Sequence, residues 1–136
     1  MKRSVAGIAI ENNAVFIARR KAGGSLGGKW EFPGGKAEEG ESDEAALRRE
    51  YIEEFGAVIT VGPLLASAEF THNDQQFLLN AYRIFFEKRD FCLTEHEEWR
   101  WAVIGEISLL DFADSDLKLL PPLQMYLKEQ AGIHNR

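Results

Sequence analysis

The 136-residue chain has few of the residues that form cross-links and metal cages. Cys92 is its single cysteine, so an internal disulfide is excluded and a cysteine-based zinc site is not indicated. The three histidines, His72, His96 and His134, do not have the spacing of metal ligands. Because a lone cysteine fits a reducing compartment, we expect a cytoplasmic location.

Long apolar runs and positive charge are also scarce. No apolar run approaches the length that a membrane span requires. The formal net charge is −6, which argues against a protein that binds the backbone of nucleic acids. We therefore expect no membrane and no nucleic-acid polymer as a partner, and the sequence indicates no oligomeric state.

The length and composition of the chain predict one folded domain over residues 1–136. Hydrophobic residues make up 45% and charged residues 28% of the sequence, close to the averages of globular proteins. Pro121 and Pro122 either kink the last helix or mark its start. We expect an α+β fold, a mixed sheet covered by helices. Strands are predicted over 4–10, 14–18, 30–32, 58–70, 77–86 and 99–104, a turn over 71–74, and helices over 43–55 and 117–130.

The negative charge is concentrated in one segment. Residues 38–54 carry eight acids and two bases, whereas acids and bases balance over the rest of the chain. Glu50, Glu53 and Glu54 are spaced at i, i+3 and i+4, which places their side chains on one face of the predicted helix. Three oxygen donors on a rigid face suit a hard divalent cation such as Mg²⁺. The alternative is a solvated acidic surface.

Three neighbouring features favour a cation site over a solvated surface. The glycines of Pro33-Gly34-Gly35 allow the backbone to approach a ligand closely. Arg49, four residues before Glu53, can orient that carboxylate through a charge-assisted hydrogen bond. Glu41 lies just before the helix and can join the same cluster.

The segment over 35–57, GKAEEGESDEAALRREYIEEFGA, resembles the signature of the Nudix hydrolases. Tyr51 replaces the usual aliphatic residue, and Ala57 is smaller than usual, which leaves the chemistry intact. By this resemblance the fold is the Nudix fold, a mixed sheet sandwiched between helices. The family hydrolyses a diphosphate linked to another moiety. The matching positions are Gly35, Glu41, Arg49, Glu50, Glu53, Glu54 and Gly56.

The resemblance also implies roles for individual residues. Mg²⁺, with Mn²⁺ as a substitute, would be bound by Glu50, Glu53, Glu54 and the carbonyl of Gly34, while Arg49 would orient a glutamate. A glutamate would accept a proton from the attacking water, which the cation makes more acidic. Glu53 is the first candidate for this base. The other candidates, from a later segment, are Glu97 and Glu98.

Residues outside the signature resemble the MutT branch of the family, whose members convert nucleoside triphosphates to monophosphate and pyrophosphate. By this resemblance Arg20 reaches the nucleotide, Lys36 contacts phosphate, Phe32 packs beside the base and Asp116 binds its edge. Asn80 lies on a strand that lines the pocket in relatives, although its side chain can face the other way. The alternatives are a surface charge for Arg20, a core residue for Phe32 and a helix N-cap for Asp116.

The leading hypothesis is therefore an Mg²⁺-dependent nucleoside triphosphate pyrophosphohydrolase that cleans or regulates a nucleotide pool. An oxidised purine, cytosine or adenine base suits an Asp at position 116. A second hypothesis keeps the chemistry but takes ADP-ribose, a nucleotide sugar or a dinucleotide as substrate. A third is a Nudix domain that senses a nucleotide without turnover, against which the intact glutamates argue.

Overall fold

The computed structural model describes residues 1–134, which form seven strands and four helices. No helix in this part of the chain is long and apolar enough to cross a membrane. The strands are β1 (Lys2–Glu11), β2 (Ala14–Arg20), β3 (Trp30–Glu31), β4 (Gly34–Lys36), β5 (Val58–His72), β6 (Gln75–Lys88) and β7 (His96–Val103). The helices are α1 (Asp43–Phe55), α2 (Ile104–Ile107), α3 (Asp114–Leu117) and α4 (Leu120–His134).

The strands form a mixed sheet, which confirms the predicted α+β architecture. The main order is β3-β2-β1-β6-β5, with β4 paired to β1 and β7 paired to β2. The pairing of β1 with β6 is parallel, and the other pairings are antiparallel. The short strand β4 was not predicted. It continues from the Pro33 turn and brings the glycine-rich segment against β1.

Several predicted boundaries differ from the structure by a few residues, and two of these differences have a clear physical reason. The turn between β5 and β6 contains only Asn73 and Asp74, both with positive φ, because asparagine and aspartate tolerate the left-handed region of a tight hairpin. Pro121 and Pro122 lie in the first turn of α4, where a backbone N–H is not needed. They therefore mark the start of the last helix and do not kink it.

The sheet separates two apolar cores. Alternate residues of β2 enter opposite cores, as the two-residue period of a strand requires: Ile17 lies in one and Phe16 in the other. The core beside Ile17 is closed by α2, α3 and α4. The core beside Phe16 is closed by α1, whose apolar stripe is fully buried. That stripe consists of Leu47, Tyr51 and Phe55.

Candidate functional site

Helix α1 positions the predicted carboxylates. A side-chain hydrogen bond caps its start, and a glycine in the left-handed conformation ends it. Ser42 precedes the helix, and its Oγ accepts a hydrogen bond from the backbone N–H of Ala45 at 3.1 Å. Gly56 ends it in the left-handed conformation, with φ of 63°, which a glycine adopts without strain. The apolar stripe fixes the rotation of the helix, so its acidic face points away from the core.

Arg49 donates hydrogen bonds to several carboxylates on or beside this face. Its Nε and Nη2 donate to Glu41 at 2.8 and 3.0 Å, and its Nη1 donates to Glu50 at 2.9 Å and Glu53 at 3.4 Å. A further bond from Nη2 reaches the carbonyl of Lys36 at 3.1 Å. The hydrogen bond from Arg49 holds the pKa of Glu41 at about 2, and the bond to Glu41 raises the pKa of Arg49. The predicted orienting role thus has a geometric basis.

The glycines of β4 allow this cluster to lie against the backbone. A Cβ on Gly35 would lie 2.6 Å from the carboxylate of Glu50, and one on Gly34 would lie 1.9 Å from the carbonyl oxygen of Val5. Gly34 therefore permits the pairing with β1, and Gly35 permits the approach of Glu50. Burial raises the pKa of Glu50, although the neighbouring Arg49 opposes this.

Glu54 lies deeper than the other two carboxylates and is only 4% exposed. Its Oε2 is buried and has no hydrogen-bond partner among residues 1–134. Burial and the charges of Glu31 and Glu50 raise the pKa of Glu54 to about 9, against the opposing charge of Arg20. An unpartnered buried carboxylate is costly, and a bound cation would satisfy it. Glu50, Glu53, Glu54 and the carbonyl of Gly34 would offer a cation oxygen donors, the type of ligand that Mg²⁺ prefers.

A second buried cluster was missed by the sequence analysis. His96 Nε2 lies 2.8 Å from Glu31 Oε2, and Arg20 Nη1 donates to the same oxygen at 3.1 Å. The imidazole stacks on Phe55 at 5.0 Å. One ligand atom each of Glu31, Glu54 and His96 lies within 4.8 Å of the others. Because Glu31 Oε2 already has two partners, we interpret the cluster as a network that holds Arg20. Residues this far apart in sequence give no spacing signal.

A cleft of about 510 Å³ opens beside these clusters. Four of the predicted substrate-binding residues line it: Arg20, Phe32, Lys36 and Asp116. Phe32 is also buried and makes an edge-to-face contact with Phe112 at 5.1 Å, so it belongs to both the core and the cleft. The cleft is therefore cationic near β4 and apolar farther in.

Asp116 lies at the buried side of this cleft. It is inside α3, whose N-cap is Ala113, so the N-cap alternative is wrong. Its Oδ2 instead accepts a hydrogen bond from the backbone N–H of Phe32 at 2.9 Å. Burial, helped by the charge of Glu31, raises the pKa of Asp116 to about 8. The carboxyl group is therefore largely protonated at neutral pH.

Asn80 lies elsewhere. In the described part of the chain the cleft is lined by Phe77 and Leu79 of β6, and Asn80 is not among its lining residues. Side chains alternate along a strand, and the amide of Asn80 donates instead to Asp43 of α1 at 3.0 Å. The structure therefore does not bring Asn80 together with the other predicted substrate-binding residues.

Glu97 and Glu98, the other candidates for the general base, have partners that the sequence did not indicate. Glu97 and Glu98 form ion pairs with Arg19, at 3.1 and 2.6 Å. The charge of Glu95, by contrast, contributes to the raised pKa of Glu54. Glu95 follows Thr94, whose backbone N–H donates to the carbonyl of Glu54 at 3.2 Å, so Glu95 lies near the carboxyl end of α1, and the sequence analysis did not single it out.

Comparisons with known proteins agree with this geometry. A family model described as the NUDIX domain matches residues 5–121, and the chain belongs to the Nudix family. It is 33% identical to the CTP pyrophosphohydrolase of Escherichia coli K12 over 116 residues, which cover 85% of this chain and 86% of that protein. It is 37% identical to the 8-oxo-dGTP diphosphatase of Proteus vulgaris over 92 residues, covering 63% of this chain and 82% of that one.

Solved structures give the same result. The solution structure of the E. coli ORF135 protein matches with a TM-score of 0.83 and 32% identity, covering 92% of this chain and 89% of that one. A MutT protein from Methanosarcina mazei Go1 matches with a TM-score of 0.81 at 21% identity, which supports the fold alone. The Nudix fold and a MutT-like Nudix hydrolase are thus confirmed. So is the predicted enzyme class, a nucleoside triphosphate pyrophosphohydrolase.

Proposed function

We propose that this protein hydrolyses a nucleoside or deoxynucleoside triphosphate to nucleoside monophosphate and pyrophosphate, with Mg²⁺ as its cofactor and Mn²⁺ as a substitute. The observation that carries the proposal is the guanidinium of Arg49, which holds Glu41, Glu50 and Glu53 beside the glycines of β4. The cleft is lined by Gly34, Gly35 and Lys36 of β4 and also by Asp116, so we propose that the phosphates lie near β4 and the base near Asp116.

The carboxylates of α1 differ in solvent exposure, and we propose different roles for them on that basis. When bound, the cation neutralises phosphate charge and makes a water more acidic. Glu50 and Glu54, which are largely buried, would hold it together with Glu53 and the carbonyl of Gly34. The Glu53 side chain is 58% exposed and can accept the water proton, so we propose Glu53 as the general base.

A late acid is the alternative base. Glu97 and Glu98 are occupied by Arg19, whereas the charge of Glu95 acts on Glu54. We therefore propose Glu95 as the late acid that assists Glu53, in place of the two residues predicted from the sequence. Comparing the pH profiles of Glu95→Gln and Glu53→Gln would assign the base.

The other end of the cleft would select the base. A protonated Asp116 carries both an O–H donor and a carbonyl acceptor. That pair matches the N3 acceptor and N4 amino donor of cytosine, and it also suits an oxidised purine. Lys36 and Arg20, which also line the cleft, would contact the phosphates. The two relatives, a CTP pyrophosphohydrolase and an 8-oxo-dGTP diphosphatase, support both choices of base.

The proposal also covers the partner, the cellular role and the domain organisation of the protein. A small-molecule nucleotide is the proposed partner, and nucleotide-pool housekeeping in the cytoplasm is the proposed role and place. We also propose that residues 1–136 form one domain. Residues 135 and 136 lie outside the described part of the chain.

The test is chromatography of the products formed with Mg²⁺ and a mixed panel of substrates. The panel holds normal and oxidised nucleoside triphosphates, ADP-ribose, nucleotide sugars and dinucleotides. We expect monophosphate and pyrophosphate from a triphosphate of cytosine or of an oxidised purine. Consumption of ADP-ribose, a nucleotide sugar or a dinucleotide alone would replace the proposed substrate class. Absence of turnover with every member would favour a nucleotide-sensing domain.

A further inference from the structure

Arg3 connects the two parts of the candidate metal site. Its backbone carbonyl accepts a hydrogen bond from the N–H of Ala37 at 3.1 Å, immediately after β4. Its side chain donates to the carboxylate of Asp43, in the first turn of α1, and to the carbonyl of Glu41 at 2.5 Å. One residue of β1 therefore holds both the strand with the glycines and the helix with the carboxylates.

Asp43 is placed unusually for an acid in the first turn of a helix. Such residues normally face solvent and interact with the helix dipole, as Glu44 does with a side chain that is 57% exposed. The Asp43 side chain is only 12% exposed and points at the sheet. Tyr82 Oη donates to it at 2.6 Å and Asn80 Nδ2 at 3.0 Å. Burial opposes its ionisation, but these bonds and Arg3 lower the pKa of Asp43 overall.

The rest of α1 is also fixed to the fold. At its carboxyl end, the hydroxyl of Thr94 donates to the carbonyl of Glu53 at 2.8 Å. In its middle, Tyr51 Oη donates to the carbonyl of Gly7 at 3.3 Å. The contacts of Asp43 complete this set at the amino end. These contacts hold the helix to the rest of the fold at three points, so we expect the loss of one of them to let its carboxylates shift relative to β4.

We propose that Arg3 and Asp43, with Asn80 and Tyr82, are positioning residues that set the separation between β4 and the carboxylates of α1. None of the four is among the described residues that line the cleft. They act by keeping Glu50 and Glu54 where the carbonyl of Gly34 can complete the oxygen donor set. The inference rests on the proposed function, since it concerns the cation site of that reaction.

The matched experiment compares Asp43→Asn with Glu44→Gln. Each variant removes one negative charge from the first turn of α1, so each has the same effect on the helix dipole, but only Asp43 contacts the sheet. We expect Asp43→Asn to weaken Mn²⁺ binding to the free protein about tenfold, measured by the electron paramagnetic resonance signal of unbound Mn²⁺. We also expect its kcat to fall about tenfold, with KM at saturating metal changed less than about twofold. Glu44→Gln should change none of these quantities.

Equal Mn²⁺ affinity and kcat in the two variants would overturn the inference. If circular dichroism shows that Asp43→Asn does not fold, Tyr82→Phe replaces it, because this change removes one hydroxyl and keeps the ring. Unchanged Mn²⁺ affinity in folded Tyr82→Phe would likewise overturn it. Arg3→Lys keeps a positive charge beside Asp43, whereas Arg3→Met removes it. We therefore expect Arg3→Lys to retain part of the Mn²⁺ affinity that Arg3→Met loses.

The binding measurement separates this inference from the proposed function. A wild-type protein that binds Mn²⁺ but hydrolyses no nucleoside triphosphate contradicts the proposed function, and the two variants still test positioning through affinity alone. A wild-type protein that hydrolyses a triphosphate, with Asp43→Asn as active as Glu44→Gln, contradicts only the positioning role. A wild-type protein that binds no Mn²⁺ overturns both.

Discussion

At the scale of single residues, Asp116 links specificity to stability. Its pKa lies near 3.8 in the unfolded chain and at about 8 in the folded protein, mainly because of burial. Between these two values the unfolded chain has released a proton that the folded protein keeps. The free energy of unfolding therefore falls as pH rises through this window, by at most about 1.4 kcal/mol per pH unit. The role proposed for Asp116 in binding the base therefore comes at a cost in stability at neutral pH.

Asp116→Asn should remove this dependence. The amide oxygen still accepts the N–H of Phe32, but it carries no titrating proton. We expect the melting temperature of the variant to gain on that of wild type as pH rises from about 5 to about 8. Scanning calorimetry across this range measures the difference. Glu54 also has a raised pKa but is present in both proteins, so a difference that stays constant with pH would contradict the raised pKa of Asp116.

At the scale of elements, β4 and α1 approach each other through glycine. A Cβ on Gly35 would meet only the flexible end of the Glu50 side chain, so Gly35→Ala should displace that carboxylate and leave the fold intact. We expect kcat to fall at least about tenfold with little change in melting temperature. A Cβ on Gly34 would meet the backbone of Val5, so Gly34→Ala should instead lower the melting temperature.

Gly105→Ala is the control for this comparison, because a Cβ there meets nothing within 4 Å. It should leave both the activity and the melting temperature near those of wild type. Full activity in Gly35→Ala would show that the close approach of Glu50 to β4 is not needed for catalysis.

The elements also show what the sequence could predict. Helix α1 was predictable because its cap, apolar stripe, acids and terminal glycine lie within one continuous segment. Strand β4 was not, because Gly34 and Gly35 have no strand propensity and their pairing with β1 is a tertiary contact. The late acid was missed for a related reason. The pairing of β2 with β7 shifts register between Arg19 and Arg20, and such an irregularity changes which side chains of β7 lie on each face of the sheet.

At the scale of the whole molecule, the candidate site combines a local half and a distant half. The half proposed to bind the cation comes from residues 34–54, where the spacing of Glu50, Glu53 and Glu54 indicated it and the family resemblance implied Gly34. The half proposed to bind the base joins Phe32 to Asp116, and the buried network joins Glu31 to His96. Only the complete sheet brings these pairs together. Resemblance to a family indicated Phe32 and Asp116, whereas nothing in the sequence indicated His96.

The carboxylates of α1 are proposed to carry out hydrolysis, and the kcat of Glu53→Gln is the decisive measurement of that role. Glu44→Gln is the matched control, since the two side chains are 58% and 57% exposed on the same helix. With Mg²⁺ and a nucleoside triphosphate that wild type hydrolyses, we predict that Glu53→Gln lowers kcat at least about a hundredfold, while Glu44→Gln leaves it unchanged. Equal kcat in the two variants would remove Glu53 from both the base and the ligand roles and contradict the account.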